Sequence, residues 1–174
     1  SSRRTAIVEA TASSSHLVGQ FSHQPCCRSA RLTFFKMDDF SRCEGLPALI
    51  DFLSYQAGES QAFNLLAEVE ESSGLFEVFR RTGFSSYGVE TIWRMPARTV
   101  QPGKTASAWQ KASPKDELLM RSLYQNVTPP LEQSAEPYQP DAEGRLVYCS
   151  NNELTAWVHV SVGALGTYLV PVFH

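Results

Sequence analysis

Residues 63–95 read FNLLAEVEESSGLFEVFRRTGFSSYGVETIWRM, and the pattern is strand, short helix, strand. Phe63 to Val69 is β-compatible, with Leu65, Ala67 and Val69 on one parity. Ser72 and Ser73 are placed to cap the helix that follows by accepting from its free N–H groups. Leu75, Phe76, Val78 and Phe79 make an apolar stripe at helical spacing. Arg80 and Arg81 fall in the last turn, where positive charge suits the helix dipole. Gly83 takes the left-handed position beyond the helix, Phe84 folds back onto the core, and Tyr87 to Met95 resumes as a strand.

Upstream, Arg4 to Ala10 and His16 to His23 form a strand pair across a Ser-rich turn, and Arg31 to Met37 makes a third strand. Leu46, Leu49, Ile50 and Leu53 lie on one side of a helix running from Leu46 to Ala57. Pro47 is tolerated in its first turn and Gly58 stops it. Downstream, Ala97 to Ser107 has the composition of a linker, and a new unit begins after it. Trp109 to Lys111 reads as a short strand, and Ser113-Pro114-Lys115-Asp116 as a helix start. That helix runs through Leu118, Leu119, Leu123 and Tyr124 to Thr128-Pro129-Pro130. Strands follow at Arg145 to Cys149, Leu154 to Ser161 and Thr167 to Phe173, with hairpin turns at Asn151-Asn152 and at Gly163 to Gly166.

Composition narrows the function classes. A net charge of −3 over 174 residues gives no basic patch for nucleic acid. No run reaches the roughly 18 apolar residues of a membrane span, and the first residues lack a signal-peptide pattern. The chain has no initiator Met. Cys26, Cys27, Cys43 and Cys149 are not at zinc spacing, and they read as reduced thiols of a cytoplasmic protein. Trp93, Trp157, Tyr87 and Tyr168 fall in strand-like runs, where aromatic residues serve packing.

The helix and its Gly83-Phe84 ending resemble the later half of the GNAT acetyltransferase fold, where Asn-x-x-Ala-x-x-x-Tyr-x-x-x-Gly-Phe precedes a late strand. Aligned on Gly83-Phe84, the family's Asn, Ala and Tyr fall on Ser72, Leu75 and Phe79. The Trp109 strand, the Ser113 to Asp116 cap and the Leu123-Tyr124 helix end resemble the opening of a second such domain. The resemblance implies an α/β (α+β) fold with a mixed, largely antiparallel sheet flanked by helices. It also implies a tandem protein of bacterial type. The first copy, 1–96, lacks its front, 97–107 is the linker, and 108–174 is the start of a second copy. Either the two halves complete one another, or the chain is a segment of a longer tandem protein.

In this family acetyl-CoA sits where the sheet splays, with its pyrophosphate on the N–H groups of a helix start. The motif is Gln/Arg-x-x-Gly-x-Gly/Ala, and Arg42-Cys43-Glu44-Gly45-Leu46-Pro47 gives its Arg and first Gly. The implied cofactor site is Arg42, Gly45, Leu46 and Ala48, with Pro47 where a small residue belongs. Glu68 and Glu70, on one strand face, are the implied catalytic bases, with Asp38, Asp39, His16 and His23 as alternatives. His159 reads as a sheet histidine with a local partner, and no metal site is expected. The expected reaction is acetyl transfer to a small-molecule or peptide amine, with a homo-oligomer or protein partner covering the incomplete sheet. The alternative is a catalytically degenerate accessory subunit or acyl-CoA sensor, since Phe79 lacks the family tyrosine's hydroxyl.

Overall fold

The computed structural model describes residues 2–9, 16–25, 27–37, 45–96, 108–140 and 144–174, with backbone alone for 2–9, 16 and 37. The chain divides into two compact units, Ser1–Tyr87 and Gly88–His174. Both are mixed α+β, and each holds a four-stranded sheet with strands in sequence order. No helix among the described residues is long and apolar enough to cross a membrane.

In the first unit β1 (Ser2–Glu9), β2 (His16–His23) and β3 (Ser29–Met37) form an antiparallel meander. Helix α1 (Leu46–Glu59) then crosses back, so that β4 (Asn64–Leu66) lies parallel to β3. Leu46, Leu49, Ile50, Leu53 and Ala57 of α1 are buried, the helical repeat legible in the sequence. They pack on Leu17, Phe21 and Ala30, which alternate onto one face of the sheet. Gly19 makes this approach possible. A Cβ built there would stand 2.6 Å from Leu53 Cδ1 and 3.5 Å from Leu49 Cδ2.

Helix α2 (Gly74–Arg81) adds Val78 and Phe79 to the same core. Gly83 has φ +95°, and the Phe84 N–H donates to the Phe79 carbonyl at 3.1 Å, the expected left-handed ending. Phe84 meets Phe79 edge to face at 4.9 Å. Three expectations fail here. The strand at Phe63 to Val69 is reduced to Asn64–Leu66, because only these residues have β3 to pair with. Ser73 is the N-cap residue, yet its hydroxyl donates to the Glu70 carbonyl and that of Ser72 to Glu70 Oε1. The Glu70 turn thus captures both serines that were to cap the helix. Tyr87 to Met95 joins neither sheet, and Ile92 and Trp93 are 78% and 89% exposed. Strand propensity needs a ladder to act on, and this segment has none.

In the second unit β5 (Trp109–Lys111), β6 (Arg145–Ser150), β7 (Glu153–Gly163) and β8 (Gly166–Phe173) form an antiparallel sheet. Asn151 and Asn152 take φ of 50° and 68°, the paired left-handed residues of a two-residue hairpin turn. Helix α3 (Glu117–Val127) buries Met120 and Leu123 against Val147 and Trp157. It begins later than the sequence suggests. Ser113 to Asp116 forms a turn in which the Asp116 carboxylate accepts from the Ser113 N–H at 2.8 Å and from its hydroxyl at 2.7 Å. Those two bonds hold the Asp116 carboxyl below its ordinary range. A short helix α4 (Pro130–Ala135) follows, with Gln133 Nε2 donating to the last carbonyls of α3 at Gln125 and Thr128.

The second core is keyed by a charge. Arg145, only 6% exposed, donates to Tyr138 Oη at 2.6 Å and to the carbonyl of Gln139. Its guanidinium lies over the rings of Tyr138 and Trp157 at 4.7 and 5.0 Å and pairs with Glu117 at 3.8 Å. The strand β6, the start of α3 and the segment after α4 are thereby tied together.

Two outcomes test this packing. Gly19→Val is expected to lower the stability of the first unit by about 1–3 kcal/mol, because Leu53 Cδ1, 2.6 Å from where the new Cβ would stand, must shift within the core. Urea unfolding followed by far-UV circular dichroism reads it. In the second unit burial raises the Glu132 carboxyl above its ordinary 4.5, helped by Glu136 and Glu90. A raised folded-state value favours the protonated form, so this contribution is present below the ordinary value and lost as pH rises through the folded one. Glu132→Gln is therefore expected to raise the melting temperature at pH 7 and to flatten the gain that wild type shows on acidification toward about pH 5.

Candidate functional site

The first unit has one place where its sheet is not continuous. β3 pairs with β4 over Ser29, Ala30 and Arg31 only, so residues 32–37 continue with no strand on that side among the described residues. Within the same stretch the β2–β3 register slips. Gln20 faces Phe34 and Phe21 faces Leu32, which leaves Thr33 as the extra residue of a β-bulge. The Thr33 hydroxyl donates to Gln20 Oε1 at 3.2 Å and to the Gln20 carbonyl at 3.3 Å. A bulge turns backbone groups out of the ladder, and here it does so beside an opening in the sheet.

The β3–α1–β4 crossover fixes what lies at that end. α1 starts beyond the carboxyl end of β3 and returns over the sheet to the start of β4. Its first turn, and the chain leaving β4, therefore both sit toward the carboxyl ends of the parallel pair. Open sheets with such crossovers bind ligands at that end.

The expected site residues distribute as follows. Glu68 and Glu70 lie just beyond β4 and are exposed, while Leu65 and Val69 pack on the core, as their alternation requires. Glu68 forms an ion pair with Arg31 of β3, so one carboxylate stands at the edge of the opening. Glu70 instead organises the turn into α2 through Ser72 and Ser73. Gly45 is the N-cap of α1 and its carbonyl accepts from the Leu49 N–H at 3.1 Å. No side-chain hydrogen bond caps this helix start among the described residues. Leu46 is buried in the core, and Ala48 is exposed. Pro47 removes one donor from the turn. Arg42, Asp38 and Asp39 lie outside the described residues.

Two further candidates have other duties. His23 is buried and its Nε2 bonds the Cys27 carbonyl at 2.7 Å, which closes the turn after β2. His16 opens β2 opposite Glu9. His159 stands opposite Arg145 across β6 and β7, in the second unit, and its Nδ1 is buried without a hydrogen-bond partner among the described residues. The local partner expected for it is thus not found on that nitrogen. Cys27 and Cys149 form no disulfide among the described residues, whereas Cys26 and Cys43 lie outside them. No group of three or more His, Cys, Asp or Glu among the described residues could hold a metal ion.

Phe79 is 4% exposed and packed between Phe35 at 5.2 Å and Phe84 at 4.9 Å. The Thr33 bulge was not anticipated from the sequence, because nothing in RLTFFKM marks which residue leaves the ladder. No family model matches the chain, and none of the curated proteins does either.

The Arg31–Glu68 pair is exposed on both sides, so it contributes little to folding. Glu68→Gln is expected to change the unfolding free energy by less than about 1 kcal/mol in a urea titration. That tolerance makes the variant a clean probe of chemistry at the opening.

Proposed function

We propose that the first unit is a GNAT-like N-acetyltransferase that moves acetyl from acetyl-CoA to an amine. The observation that carries this reading is the combination at β3, a parallel neighbour that stops after Arg31 and a bulge at Thr33 beside the gap. A meander, a crossover helix, a short parallel strand and a helix ending in Gly83-Phe84 follow part of the order that the sequence resemblance implies, without the late strand expected at Tyr87 to Met95. The start of α1 suits a pyrophosphate, since the exposed Ala48 keeps its N–H group and the helix dipole favours an anion. Arg42, by the resemblance, adds the positive charge. Pro47 and the neighbouring Glu44 weaken the cradle relative to the family pattern.

Acetyl-CoA would supply an acetyl group activated as a thioester. The chain's own residues then have three tasks. The bulged backbone of β3 offers N–H groups to the acetyl carbonyl as charge develops on its oxygen. Glu68, with Glu70 as the nearby alternative, accepts the proton that the attacking amine must lose. The opening aligns amine and thioester, so that positioning does much of the work. Phe79 has no proton to give to the departing thiolate, which therefore draws one from solvent or from the acceptor's own ammonium.

A second reading has its own support. The packed phenyl ring of Phe79 has no hydroxyl to support turnover, and the proline in the anion turn weakens the hold on a cofactor. Such a protein would serve as an acyl-CoA sensor or as an accessory subunit.

Thiol release with acetyl-CoA and a panel of small and peptide amines decides among these. The transferase reading expects amine-dependent thiol release, lost by about 10²-fold or more in Glu68→Gln, with Arg42→Ala raising KM for acetyl-CoA. Saturable acetyl-CoA binding without thiol release supports the sensor, and neither signal supports the accessory subunit.

A further inference from the structure

We draw no further inference here: the strongest candidate, the side-chain cluster of Arg145, Glu117 and His159 where β6 and β7 meet the start of α3, holds buried polar atoms without hydrogen-bond partners among the described residues, and nothing in the structure shows what ligand would meet them.

Discussion

The first unit depends on how closely α1 can lie against β2. Leu49 and Leu53 reach full burial because Gly19 presents no side chain beneath them. Interiors pack at near-crystalline density, so a helix held even one methyl group further out would uncover the row from Leu46 to Ala57. The crossover that returns the chain to β4 beside β3 rests on the same contact, and so does the parallel pairing that begins at Ser29↔Asn64. α2 then closes the core at its other margin through Phe79, which meets Phe35 of β3 and Phe84 beyond the helix. What remains open among the described residues is the side of β3 beyond Arg31, and there the bulge and the Arg31-paired Glu68 carboxylate collect.

The second unit is held differently. Its hydrophobic core of Met120, Leu123, Val147 and Trp157 is small, and a buried guanidinium organises what surrounds it. Arg145 meets two aromatic faces, a tyrosine hydroxyl, two carbonyls and the Glu117 carboxylate, while its Nε and Glu117 Oε1 lack partners among the described residues. A buried pair of this kind is costly to break, because either group alone would be left charged and desolvated. It serves more as a register pin between β6 and α3 than as a source of net stability.

The sequence was legible wherever a local rule decided the outcome. The row Leu46, Leu49, Ile50, Leu53 announced α1, Gly83-Phe84 announced the end of α2, and Asn151-Asn152 announced its hairpin. It was not legible where a neighbour decides. Tyr87 to Met95 has a strand's residues, and only a paired ladder would make it one. Ser72 and Ser73 have a cap's residues, and the Glu70 turn competes for them. For the site, alternation put Glu68 on the fourth strand, whereas it lies just beyond β4, and its partner Arg31 lies 37 residues away, a pair that no local pattern reveals. Thr33 leaves the ladder because β2 and β3 fall out of step, a property of two strands that neither displays alone. The α4 helix is a single turn with too few apolar positions to show a period.

The proposed function comes down to whether the opening beside β3 and the start of α1 act as one cofactor site. Isothermal titration of the chain with acetyl-CoA, with desulfo-CoA as a second ligand, addresses this before any acceptor is known. The account predicts saturable binding of both in the micromolar range, since the pyrophosphate contacts do not involve the thioester. Absence of heat at millimolar ligand would contradict it, and the fold would then have to be explained by what it binds rather than by what it transfers.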